Sequence, residues 1–129
     1  TLGTRADFRE VIERRAVGIV MFDTSWIGGI SEARKVAALA ETHHLPVAPH
    51  DATGPITLIS GNHVVMNAPN GLTQEIVRSY YYSWYRDIVT EMPRIENGLM
   101  HPLTGDGLGT QLQPDVLKRK DTKVRTTKG

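Results

Sequence analysis

Asp23, His50 and Glu75 are the side chains of this 129-residue chain whose types and spacing suit chemistry. They lie 27 and 25 residues apart, about one strand-plus-helix unit each. An imidazole is the natural general base near neutral pH. A carboxylate beside it holds one ring tautomer and stabilises the imidazolium that forms when it takes a proton. Asp23 is the candidate for that role. A second acid, Glu75, would hydrogen-bond a substrate carboxylate if burial beside other charge kept it protonated. Taken singly, each residue also has a structural reading: His50 closing a loop, Asp23 capping the next helix, Glu75 paired with a surface Arg. On spacing alone, both readings stand.

The chemical reading needs elements that bring the three together. Thr4 is a fitting N-cap, and Phe8, Val11 and Ile12 recur at helical spacing, predicting a helix over 5–15. The run Val17-Gly18-Ile19-Val20-Met21-Phe22 ends at Asp23. Its lack of alternation predicts a strand buried on both faces. A glycine-containing loop over 24–30 leads to a second helix, 31–43, with its apolar stripe on Ala33, Val36, Ala37 and Ala40. Leu45-Pro46-Val47-Ala48-Pro49 is a short strand ending at His50. Gly54-Pro55 opens a third helix, Pro being suited to a first turn, with Ile56, Leu58 and Ile59 as its apolar side. A strand over 71–76 holds Glu75, and a helix near 80–91 follows. From Pro93 onward Gly and Pro dominate, and no regular element is expected. Strands alternating with helices imply right-handed crossovers and a parallel sheet, with all three candidates at the C-terminal ends of its strands. Ligands bind at that edge in such folds.

Other residues are weaker candidates. Trp26 follows Asp23 and could wall a substrate pocket or pack on a neighbouring loop. Asp51 and Thr53 follow His50 and suit either substrate hydroxyls or turn hydrogen bonds. His43 and His44 end a helix, where the dipole favours them over a metal role. His63 and His101 read as structural or exposed. The block Tyr80-Tyr81-Tyr82-Ser83-Trp84-Tyr85 reads as core or subunit packing.

Composition sets bounds. The chain has no Cys, so disulfides and thiolate chemistry are excluded. No apolar run reaches the roughly 18–20 residues of a membrane span. The net charge of +1 hides a tail, 118–129, that carries six Lys/Arg and one Asp. With no aromatic interleaved for base stacking, it reads as a solvated terminus and not a nucleic-acid site. The length suits one small domain and falls short of the about 250 residues of a complete eight-fold barrel. The start, Thr1-Leu2-Gly3-Thr4-Arg5, has neither Met nor a signal pattern, and reads as a chain that begins mid-protein.

Ile19-Val20-Met21-Phe22-Asp23, Gly28-Gly29-Ile30-Ser31-Glu32 and Val47-Ala48-Pro49-His50 resemble the mandelate racemase branch of the enolase superfamily. The resemblance is to its acid-sugar dehydratases, of the galactonate type, and runs from about residue 4 to 125. Pro69-Asn70 and Gly107-Leu108-Gly109 add to it; Asp106 departs from it, where the family has Pro. The resemblance implies an α/β fold: strands 6 to 8 and their helices from a (β/α)8 TIM-type barrel, plus the C-terminal tail. It implies a partial barrel over 1–92 and an irregular segment over 93–129 that packs back on the barrel or on a domain outside this chain.

It further implies the reaction. A sugar-acid carboxylate binds magnesium, the proton alpha to it is removed, and a beta-hydroxyl leaves to give a 2-keto-3-deoxy acid. By resemblance His50 is the acid/base, Asp23 its orienting partner, and Glu75 a donor to the carboxylate or enediolate oxygen. Trp26, Asp51 and Thr53 would line the substrate. The Mg2+ ligands are expected upstream of Thr1, outside this chain. A sugar acid and the remainder of the same enzyme are the expected partners, in a cytoplasmic homo-oligomer; neither nucleic acid nor membrane is. A racemase or epimerase of the same branch, or an inactive barrel fragment, are the alternatives.

Overall fold

In a computed structural model that describes residues 1–127, three short extended segments run parallel, centred on Val20, Val47 and Gly71. Lys128, counted in the basic tail, lies outside the described residues. Backbone hydrogen bonds join the segments in chain order. Val20 N donates to Pro46 O, and Ala48 N and His50 N donate to Val20 O and Phe22 O. Val47 N donates to Asn70 O, and Leu72 N and Glu75 N donate to Val47 O and Pro49 O. The strands are thus shorter than the sequence predicts, but their order and parallel sense are as expected.

Helices connect them. Helix α1 (Arg5–Glu13) begins at Thr4, whose hydroxyl accepts from Asp7 N while the Asp7 carboxylate accepts from Thr4 N, a reciprocal cap. Helix α2 (Ile30–Thr42) buries Ala33, Val36, Ala37 and Ala40, the stripe read from the sequence. Helix α3 (Pro55–Asn67) starts on Gly54-Pro55 as expected. Leu58 and Ile59 are buried there but Ile56 is exposed. Arg5 and Glu32 form an ion pair between α1 and α2.

Phe8, Ile12, Val20, Phe22, Val36, Val47 and Val64 pack in one core, so the helices cover one face of the extended segments. Burying each large side chain contributes about 1.5–3 kcal/mol. The expectation that 17–22 is buried on both faces is corrected. Val20 and Phe22 are buried, whereas Ile19 and Met21 are 48% and 46% exposed. Successive strand residues point to opposite faces, and among the described residues the second face of this segment is left exposed at Ile19 and Met21.

Two further expectations are corrected. The helix near 80–91 is instead helix α4 (Arg78–Tyr81) and a 3-10 turn over Trp84–Asp87, interrupted at Ser83. Residues beyond Pro93 are not wholly irregular: strands β1 (Arg94–Glu96) and β2 (Leu99–His101) form an antiparallel hairpin. Its two-residue turn is Asn97-Gly98, both at positive φ (50° and 78°). Asn-Gly is a strong hairpin signal, and it was legible in the sequence. A short 3-10 turn follows at Val116–Lys118.

The later segment folds back on the earlier one. Val89 bridges Leu112, Thr90 N donates to Gln111 O, and a ring nitrogen of His63 on α3 meets Leu108 O at 3.2 Å. Among the described residues no helix is long and apolar enough to cross a membrane.

Candidate active site

The ends of the three parallel segments bring Asp23, His50 and Glu75 together. The backbone bonds His50 N to Phe22 O and Glu75 N to Pro49 O set the register that aligns them.

Asp23 is buried and takes four donated hydrogen bonds. Ser25 N and Ser25 Oγ donate to Oδ1 at 2.8 and 2.5 Å, and Thr53 Oγ1 donates to Oδ2 at 2.7 Å. The fourth is His50 Nδ1, 3.0 Å from Oδ2. Burial opposes the charge, but the bonds from Ser25, Thr53 and His50 outweigh it and hold the carboxyl below its usual range. An ionised carboxylate only accepts, so the proton of a neutral His50 sits on Nδ1. Nε2 therefore carries the lone pair, which is the state a general base needs.

Nε2 lies 3.9 Å from Glu75 Oε2, too far for a hydrogen bond. Oε2 instead accepts from Asp51 N at 3.0 Å. The Glu75 side chain is 40% exposed, so the burial invoked to keep it protonated is absent in this chain. The indole of Trp26, 48% exposed, lies with its ring 4.9 Å from the His50 ring, tilted by 36°. It walls the imidazole directly.

The remaining candidates are placed differently from the sequence reading. Thr53 spends its hydroxyl on Asp23. Asp51 is fully buried; its carboxylate accepts from Tyr85 OH at 2.7 Å and from Val77 N at 3.0 Å. In this structure both carboxylate oxygens face protein donors, Oδ1 meeting Tyr85 and Oδ2 meeting Val77, and not a turn amide. Ser25, which gives Asp23 two of its bonds, was not singled out from the sequence. The Asp-x-Ser spacing was the available signal, since Asp commonly bonds backbone and hydroxyl two residues on. Tyr85 was read only as packing.

A divalent cation does not fit these residues. All the accepting positions used on Asp23 are taken by protein donors, and Glu75 is tied to Asp51. Among the described residues no group of three or more His, Cys, Asp or Glu could hold a metal.

Residues 1–116 match the family described as enolase C-terminal domain-like. The chain is 36% identical over 110 residues to D-xylonate dehydratase of Haloferax volcanii, covering 85% of this chain and 26% of that protein. It is 34% identical over 114 residues to D-galactonate dehydratase of Verminephrobacter eiseniae, covering 84% and 30%. Among solved structures, an enolase of the mandelate racemase subgroup from Agrobacterium tumefaciens superposes with TM-score 0.82 at 52% identity, covering 92% of this chain and 31% of that one. L-Talarate dehydratase from Polaromonas sp. JS666, complexed with Mg and L-glucarate, superposes with TM-score 0.72 at 29% identity, covering 88% and 29%. The chain thus spans less than a third of the length of these relatives.

Proposed function

Because the chain belongs to the enolase C-terminal domain-like family, whose matched relatives include sugar-acid dehydratases, we propose that it supplies the acid/base side of such a dehydratase. The observation that carries this reading is the His50–Asp23 pair, 3.0 Å apart, with Nε2 left as the free base.

His50 Nε2 takes the proton alpha to a sugar-acid carboxylate. The imidazolium that results is stabilised by Asp23, which is already ionised and fixed by Ser25 and Thr53. Glu75 Oε2 stands 3.9 Å from Nε2, so both can contact one substrate group placed beside them. Its Oε2 accepts from Asp51 N, which leaves Oε1 as the oxygen available to substrate. Trp26 closes one side of the imidazole and shields it from water. The beta-hydroxyl then leaves as water with the proton that His50 Nε2 took, which restores the free base, and the resulting enol tautomerises to a 2-keto-3-deoxy acid.

Magnesium would neutralise the substrate carboxylate and enediolate in the complete enzyme. The residues of this chain do not form its site, and the ligands belong to the remainder of the barrel. That remainder, the sugar acid, a cytoplasmic setting and a homo-oligomer complete the proposal. Residues 1–92 are the barrel share and 93–129 the segment that packs back. The described residues hold no metal site, and by itself the chain is inactive.

The test is made in the complete enzyme. His50→Asn abolishes exchange of the alpha proton with solvent deuterium and abolishes turnover; retained exchange would overturn the role of His50. A 2-keto-3-deoxy product identifies the dehydratase, whereas a stereoisomer of the substrate identifies a racemase or epimerase.

A further inference from the structure

The aromatic block after Glu75 contains a buried residue that bonds to the site from behind. Tyr85 is fully buried, 34 residues from Asp51 in sequence, and its hydroxyl donates to Asp51 Oδ1 at 2.7 Å. Its ring is held by Trp84, edge-on at 4.6 Å, and by Tyr80 at 5.8 Å, and it packs with Leu58 and Tyr81.

Asp51 is the residue on which these contacts converge. It follows His50 directly in the chain. Its Oδ2 accepts from Val77 N at 3.0 Å, two residues beyond Glu75. Its own N donates to Glu75 Oε2 at 3.0 Å. One residue therefore grips Glu75 by the carboxylate and grips the backbone just past it, while adjoining the base. A carboxylate buried this deeply needs all its hydrogen bonds. Tyr85 supplies the one that Val77 does not.

We infer that Tyr85 is a positioning residue, which acts through Asp51 to set the separation of His50 and Glu75. The inference rests on the dehydratase reading above. Tyr85 touches neither substrate nor reacting atoms. Without its hydroxyl, Asp51 Oδ1 is buried with no donor and the carboxylate turns to seek one. Val77 N and Asp51 N then move, and Glu75 with them. A misplacement of about 1 Å at a reacting group can cost about 100-fold in rate.

The test uses the complete enzyme and three variants. Tyr85→Phe removes only the hydroxyl, and it is expected to lower kcat by about 10-fold or more while KM stays within about threefold. Asp51→Asn is expected to do the same. The double variant is expected to be no slower than Asp51→Asn alone, because the two act as one unit. A kcat for Tyr85→Phe within about twofold of the parent overturns the inference, as does a double variant whose losses multiply. A fall in melting temperature with unchanged kcat marks a merely structural hydroxyl and overturns it too. Should Asp51→Asn not fold, amide exchange at Val77 in Tyr85→Phe decides: faster exchange than in the parent supports the link, and equal exchange overturns it. His50→Asn separates the two levels. If it stays active, the reading of the site fails; if it is inactive while Tyr85→Phe is fully active, only the present inference fails.

Discussion

Four donors converge on Asp23, and this single carboxylate ties the pH dependence of stability to the proposed base. Its pKa is lower in the folded chain than in the unfolded one, because the bonds from Ser25, Thr53 and His50 outweigh burial. Its contribution is therefore complete above the unfolded value of about 4, and is lost as pH falls through the lower folded value. Asp51 has the opposite sign. Burial pushes its carboxyl up, against the bonds from Tyr85 and Val77, and the charge of Glu75 adds to that. It stabilises the fold most when protonated, and that stabilisation falls as pH rises from about 4 through the raised value. Denaturant unfolding as a function of pH checks both: Asp23→Asn loses the decline at acid pH, and Asp51→Asn loses the opposing one. In the complete enzyme, Asp23→Asn is expected to lower kcat by about 100- to 10,000-fold, since the ring loses the partner that fixes its tautomer. The pairing of Asp23 with His50 was legible from their types and spacing. The inward turn of Asp51 was not, because its partners, Tyr85 and Val77, are 34 and 26 residues away.

At the scale of elements, glycine and cap chemistry decide the boundaries. Gly71 carries the third extended segment past the end of α3, where a Cβ would collide with the Val65 carbonyl oxygen and lie 3.0 Å from that of Ala68. Gly71→Ala is therefore expected to destabilise the chain by about 1–3 kcal/mol, measured by urea unfolding. Thr4→Ala removes one side of the cap on α1 and is expected to cost about 1 kcal/mol in the same assay. The first three helices were readable because caps and periodicity are local. The aromatic block was read as one helix, yet it breaks at Ser83. Two tertiary bonds, Tyr81 OH to Pro93 O and Tyr85 OH to Asp51, outweigh weak helical propensity there. The hairpin at Asn97-Gly98 rests on a two-residue turn signal set in a Gly- and Pro-rich stretch whose flanking strands are only three residues each.

Across the described residues, one face of the parallel segments is packed by helices and the other is exposed on the first and third segments. Ile19 and Met21 stand on the open face with Leu72 also exposed, an apolar surface of the kind that binds partners or dyes. Replacing Ile19 and Met21 together by Ser is expected to lower the fluorescence of an apolar dye bound to the isolated chain. It should change stability by no more than about 0.5 kcal/mol per residue, since neither side chain is buried. The sequence by itself determined the first three helices, the parallel order of the strands, the family and the pairing of Asp23 with His50. These follow from periodicity, caps and motifs, all carried by residues near in the chain or by a residue type repeated at strand ends. Tertiary structure alone decided which oxygen each donor meets. It turned the Asp51 carboxylate to the interior, set Asp23 against His50 Nδ1, and linked Tyr85 to Glu75 through Asp51. The physical reason is that a buried carboxylate must find donors wherever the packed chain brings them, and no local pattern encodes that meeting.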